Sequence, residues 1–180
     1  MNRLKGSAAV EDENLIQRIK AGDADAMDQL IQKYYGTVYA YCYRRLGNRD
    51  DAQDITQETF LHFCRNFDSY TQIGKVKNYL YTIAHNLYVS MMRRNTSIHW
   101  EETEKSASSD DVDQFEAADS IKTALTELPD EQRNVILLRF YHDLKLKDIA
   151  QITGSGLSVT KYRLSQGVKA IKKHKKEDWL

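Results

Sequence analysis

The chain has 180 residues, 41% of them hydrophobic, and its 26 Lys plus Arg balance 26 Asp plus Glu to a formal net charge of zero. That supplies enough apolar material for one domain or two small ones and excludes wholesale disorder, while a mean hydropathy of −0.64 and the lack of any apolar run near the roughly 18–20 residues of a bilayer span exclude a membrane bundle. Two cysteines, Cys42 and Cys64, build no disulfide framework, the start from Met1 to Ser7 lacks the apolar stretch of a secretory signal, and one Pro with eight Gly disfavours a turn-rich all-β chain.

The expected elements are all helices. Leu15, Ile16 and Ile19 mark a short amphipathic helix ending at Gly22, and Asp23 is placed to cap the next. Met27, Ile31, Tyr34, Val38 and Tyr41 keep helical spacing until Gly47-Asn48. Asn48 caps a third helix with Ala52, Ile55, Thr59, Phe63 and Phe67 on one side. A loop follows from Asp68 to Lys75, then a helix with Val76, Leu80, Ile83, Leu87 and Met91 inward, ending at Arg93-Arg94-Asn95. The second half opens with a helix near Phe115, Ile121 and Leu125. Pro129 fits the first turn of another helix, which Val135, Ile136, Leu138 and Arg139 carry to about Tyr141. Leu146, Ile149, Ala150 and Ile152 give a short helix that stops at Gly154-Ser155-Gly156. Ser158 suits the cap of the last helix, with Leu164, Val168 and Ile171 inward.

The neutral total hides segregated charge. Residues 96–120 hold eight acids against one base, a net of −7, whereas residues 161–180 hold seven bases against two acids, a net of +5. The acidic stretch is also Ser-rich and without apolar period, so it reads as a linker over 96–113 between domains at 1–95 and 114–180. The basic end fits a polyanion partner, or simply lysines that favour a helix C-terminus.

A short helix, a Gly-containing turn and a basic helix form a helix-turn-helix pattern, although a plain helical hairpin has the same outline. In a DNA reader, the last helix would show Lys161, Tyr162, Ser165, Gln166 and Lys169 to the major groove. Lys145, Lys147, Lys172 and Lys173 would lie on phosphates. On the third helix, about 100° per residue places Asp51, Asp54, Gln57, Glu58 and Arg65 opposite the core stripe, with Leu61 in their midst. That face suits a basic, partly apolar partner helix; a single exposed Leu is also ordinary. The fourth helix carries Tyr79, Tyr81, His85, Asn86 and Tyr88 before Arg93 and Arg94, a set able to stack on single-stranded nucleic acid or to pack in a core with hydroxyls at its rim.

Four separated segments bear a family likeness: Asp51-Ala52-Gln53-Asp54-Ile55-Thr56-Gln57-Glu58-Thr59-Phe60, Tyr79 to Leu87 (Tyr-Leu-Tyr-Thr-Ile-Ala-His-Asn-Leu), Leu128-Pro129-Asp130-Glu131-Gln132-Arg133, and Leu146-Lys147-Asp148-Ile149-Ala150. In this order they resemble the extracytoplasmic-function sigma factors of the sigma-70 family, bacterial transcription initiation factors. The resemblance implies an all-α fold, with a region 2 bundle and a region 4 helix-turn-helix joined by an acidic, flexible linker. It implies docking on the β′ clamp of core RNA polymerase through Asp51, Asp54, Gln57, Glu58, Leu61 and Arg65, and a further contact with the β flap. It implies capture of a flipped minus-ten base by the loop from Ser69 through Tyr70 to Lys75 together with Asn86, with Arg93 and Arg94 at the duplex edge. It implies reading of the minus-thirty-five element by Ser158, Lys161, Tyr162, Arg163, Ser165 and Gln166. An anti-sigma factor, often membrane-anchored, is the implied regulator of a cytoplasmic protein. The turn Gly156-Leu157-Ser158-Val159-Thr160 departs from the family's usual Pro-x-Gly-Thr-Val and leaves the first residue of the reading helix open.

No P-loop, Ser-His-Asp order or metal-binding helix motif is present, and Cys42, His62 and Cys64 lack the ligand spacing of zinc. No cofactor, metal or catalytic residue is therefore expected. The rival readings are an operator-binding regulator with the same C-terminal reader and a helical hydrolase using His62 and His85.

Overall fold

The computed structural model describes residues 3–71, 75–98 and 119–177. They fall into two compact units, one within residues 1–104 and one within 105–180. Every regular element among the described residues is helical.

The first unit contains α1 (Arg3–Lys20), α2 (Ala24–Leu46), α3 (Arg49–Arg65), a 3₁₀ turn (Phe67–Ser69) and α4 (Val76–Ile98). The first helix is longer than the short segment expected from Leu15, Ile16 and Ile19. The boundaries of α2 and α3 follow from local chemistry. Asp23 accepts a hydrogen bond from the backbone N–H of Ala26, and Asn48 accepts one from that of Asp51. Between the two helices Gly47 takes φ 72°, a left-handed stop that an L side chain adopts only with strain. The α2 core stripe is Ala26, Leu30, Tyr34, Val38 and Tyr41, with Met27 and Ile31 half-buried beside it. It packs on α3 through Ala52, Ile55, Phe60 and Phe63, and on α4 through Val76, Leu80, Tyr81 and Ala84. Leu87 and Met91 are half-buried.

Polar contacts fasten α1 to α2. The Tyr34 hydroxyl donates to buried Asp12 at 2.5 Å, and Lys33 Nζ lies 2.8 Å from both Asp12 and Glu11. Burial and then the Asp12 carboxylate push the Tyr34 phenol well above its ordinary value. With no Gly or Pro after Val76 to stop it, α4 runs through Ile98, three residues into the stretch expected as linker. Residues 99–113 and Phe115 lie outside the described residues.

The second unit contains α5 (Asp119–Glu127), α6 (Asp130–Ile136), a π-helical turn (Leu137–Tyr141), α7 (Leu146–Ile152) and α8 (Leu157–Glu177). Pro129 stands just before α6, at its N-cap, and not inside its first turn. The core is Leu128, Val135, Ile136, Leu137, Leu138, Leu144, Ile149 and Ile152. α8 meets it through small residues. Thr160 is fully buried, and Gly167 lies so near Ile136 that a Cβ there would sit 3.1 Å from Ile136 Cγ1. The expected inward residues Leu164, Val168 and Ile171 are only half-buried and flank that contact.

Candidate polymerase and nucleic-acid interfaces

The outward face of α3 follows from its inward one. Once Ala52, Ile55, Thr56, Thr59, Phe60 and Phe63 are buried, the helical period leaves Asp51, Asp54, Gln57, Glu58, Leu61 and Arg65 exposed together. Leu61 is 49% exposed amid carboxylates and an amide. Arg65 lies 3.7 Å from Glu58, an exposed pair of small energetic weight. The face is therefore acidic with one apolar centre, suited to a helix presenting cations around an apolar residue.

The second group surrounds the entry to α4. Ser69 is exposed, and its hydroxyl donates to the Asn66 carbonyl at 2.8 Å. Tyr70 is only 3% exposed. Its ring centroid lies 5.1 Å from Tyr79, 5.9 Å from Phe63 and 6.3 Å from Phe67, and the Lys75 backbone hydrogen-bonds its hydroxyl. Burial, then the charge of Asp12, pushes its phenol up to about 12. Tyr70 is thus packed into the core at the start of the loop, with its hydroxyl tied to the Lys75 backbone at the other end. Residues 72–74 lie outside the described residues. Along α4, Asn86 and Arg93 share one exposed stripe, one helical repeat beyond half-buried Tyr79, with Arg94 beside them. Lys75 is exposed at the head of the helix.

Tyr81 and Tyr88 are core residues, not stacking platforms. Beneath Asn86, buried Arg45 joins α2 to α4. It donates to the Tyr41 hydroxyl at 2.9 Å, meets His85 Nδ1 at 2.7 Å and lies 3.6 Å from the Tyr88 ring centroid. A guanidinium only donates, so Nδ1 of His85 accepts and the imidazole proton belongs on Nε2. His85 thereby serves as a brace, whereas His62 is exposed on α3. Among the described residues no group of three His, Cys, Asp or Glu side chains is arranged to hold a metal ion. Burial pushes the Cys42 thiol up to about 11, the opposite of an activated nucleophile.

The third group lies on α8. Its ladder opens at Gly156, whose carbonyl accepts from the Thr160 N–H at 3.0 Å and the Thr160 hydroxyl at 3.1 Å. The helix therefore starts at Leu157, and Ser158 is an exposed residue of its first turn, not its cap. Lys161, Tyr162 and Ser165 are exposed, and Gln166 is half-exposed at the edge of their face. Arg163 is turned inward. Its guanidinium donates to the Glu131 carboxylate at the start of α6 and, at 2.6 Å, to the Ser155 hydroxyl in the turn. That holds α8 against the turn and turns the Arg163 guanidinium away from the exposed face of Lys161, Tyr162 and Ser165. Exposed Lys145, Lys147, Lys169 and Lys172 surround the face with positive charge.

The sequence pattern passed over Phe140, 60% exposed, and Tyr141, 37% exposed. The apolar spacing places them in a continuation of α6. The π turn changes the helical phase after Ile136, keeping Leu137 and Leu138 inward and turning Phe140 out. Arg139 Nη1 fixes the next loop by donating to the Leu144 carbonyl at 3.0 Å, and Asp143 there takes φ 51°. No periodicity argument reveals such a phase shift in advance.

Comparison with known proteins joins the two units. Residues 30–98 match the family model for sigma-70 region 2, and residues 118–171 match that for sigma-70 region 4. The chain is 30% identical over 174 residues to the ECF RNA polymerase sigma factor SigW of Bacillus subtilis (strain 168), covering 88% of this chain and 93% of that one. It is 31% identical over 143 residues to the RNA polymerase sigma factor SigV of the same organism, covering 78% and 83%. In fold it resembles the sigma factor RpoE, solved in complex with the anti-sigma factor NepR from Bartonella quintana, with a TM-score of 0.71 and 24% identity over 83% of this chain and 96% of that one. It also resembles CnrH, solved with the cytosolic domain of CnrY, with a TM-score of 0.69 and 18% identity over 93% and 99%. With both halves matched in order and a relative aligned over nearly all its length, the chain belongs to the extracytoplasmic-function sigma factors of the sigma-70 family, transcription initiation factors and not enzymes, which act with core RNA polymerase at promoter DNA.

Proposed function

We propose that this sigma factor divides its work among the three faces. The α3 face, Asp51, Asp54, Gln57, Glu58, Leu61 and Arg65, docks on the β′ clamp. The loop between Ser69 and Lys75, supported by Tyr70, works with Asn86 to capture an unstacked minus-ten base, while Arg93 and Arg94 hold the phosphates beside it. Unstacking costs a few kcal/mol per base, which a shaped pocket offsets. Ser158, Lys161, Tyr162, Ser165 and Gln166 read the minus-thirty-five element in duplex form, with Arg163 fixing the helix that carries them. Phe140 and Tyr141 supply an apolar contact for the β flap. The two readers belong to domains at 1–95 and 114–180, joined by the acidic stretch 96–113. The chain works in the cytoplasm, where an anti-sigma factor holds it inactive; the complex formed by RpoE with NepR supports that regulation.

The observation that carries this reading is the α3 face, where an exposed leucine is set among carboxylates on a helix whose opposite side is fully packed. Replacing Asp54 and Leu61 together with alanine is expected to lower affinity for core polymerase at least tenfold while leaving the helical circular dichroism unchanged. Equal affinity for the variant and the native chain would remove α3 from the interface.

A further inference from the structure

Two apolar side chains stand uncovered at the start of α8. Val159 is 45% exposed and Tyr162 is 63% exposed, whereas Thr160 between them is fully buried. At i and i+3 they are neighbours on adjoining turns, and Tyr162 points opposite the buried edge formed by Thr160 and Gly167. The core of the second unit closes without either of them. Helix propensity does not account for the valine, since a β-branched residue loses rotamer freedom in a helix.

Their surroundings specify the partner. The exposed ammonium groups of Lys161, Lys169 and Lys172 on the same helix, with Lys145 and Lys147 on the neighbouring one, disfavour a cationic protein surface and attract a polyanion. Double-stranded DNA offers in its major groove one apolar protrusion, the C5-methyl group of thymine. The residues nearest the start of a recognition helix are those that reach base edges, and both side chains lie in the first two turns.

We propose that Val159 and Tyr162 form an apolar step that packs on thymine methyl groups, so that this chain reads A·T pairs of its upstream element by methyl contact, beside the hydrogen bonds made by its polar neighbours. The inference rests on α8 being the upstream reader. It assigns specificity to Val159, which hydrogen-bond chemistry alone would pass over, and to the ring of Tyr162, not only its hydroxyl.

The test uses the full chain bound to core polymerase. An upstream element is first selected from duplexes randomised in that region, and each thymine in it is then replaced singly by deoxyuridine. That change removes the methyl group and keeps every hydrogen-bonding atom. At one or more positions binding is expected to weaken about fourfold, the effect of one buried methyl. The penalty is expected to disappear in Val159→Ser or Tyr162→Ala, whose melting should match the native chain because both sites are exposed. A selected element without A·T pairs, indifference to deoxyuridine at every position, or a penalty unchanged in both variants overturns the methyl contact while leaving α8 as a reader. A selection that yields no upstream preference overturns the assignment of α8 itself.

Discussion

Tyr70 shows how one side chain links the core to the loop that leads into α4. Its ring packs on Phe63, Phe67 and Tyr79, and its hydroxyl bonds the Lys75 backbone, so the two ends of the loop are fastened through one residue. Tyr70→Phe removes the hydroxyl contact alone and is expected to cost about 0.5–1.5 kcal/mol in chemical denaturation. Tyr70→Ala also leaves a cavity and is expected to cost about 3–5 kcal/mol. If Tyr70→Ala unfolded at the native denaturant concentration, the ring would not be the brace described. The sequence shows a tyrosine beside the loop but not which way it points, because only the convergence of α3, the 3₁₀ turn and α4 buries it. Arg163 is similar. Its position on a basic helix reads as a DNA contact, and only the fold brings Glu131, 32 residues earlier, within its reach.

At the scale of elements, the caps and core stripes of α2 and α3 were legible, whereas the cap and inward stripe of α8 were not. Asp23, Asn48 and Gly47 bound their helices through contacts within a few residues, which local sequence encodes directly. The exposed face of α3 was legible for the same reason, since it is the complement of an apolar period. The π turn and the approach of α8 to α6 were not, because both depend on tertiary packing. Gly167 is the close point of that approach. Gly167→Val sets a Cβ and two methyl groups against Ile136 and is expected to lower the stability of the second unit by about 1–3 kcal/mol. Equilibrium unfolding of the full chain checks it, and an unchanged or higher midpoint would mean that the helices part without cost.

At the scale of the whole molecule, the first unit carries several tyrosines whose neutral form the fold protects. Burial raises Tyr34, Tyr81 and Tyr70, the last to about 12, against an ordinary value of 10.0. A raised folded-state value means that the unfolded chain ionises first. Their contribution to stability is therefore complete below pH 10 and declines as pH rises through the folded-state values. The part of the tyrosinate absorbance that Tyr34→Phe, Tyr70→Phe and Tyr81→Phe remove is expected to appear together with loss of helical circular dichroism above about pH 10. Ionisation of these tyrosines near pH 10 with helicity retained would contradict their burial. The two-unit division was readable from the charge pattern and loss of apolar period between the halves, and the family from four motifs in order. The residues that turn inward, Tyr70 and Arg163, were not readable from those signals.

The proposed function requires one chain to grip core polymerase and two promoter elements together. The most direct measurement combines purified chain, core polymerase and fragmented genomic DNA, and sequences the transcripts formed. The account predicts a small set of discrete start sites sharing two upstream elements at fixed spacing, lost with the Asp54 and Leu61 double variant. Transcripts indistinguishable in start position from those of core polymerase alone would contradict it.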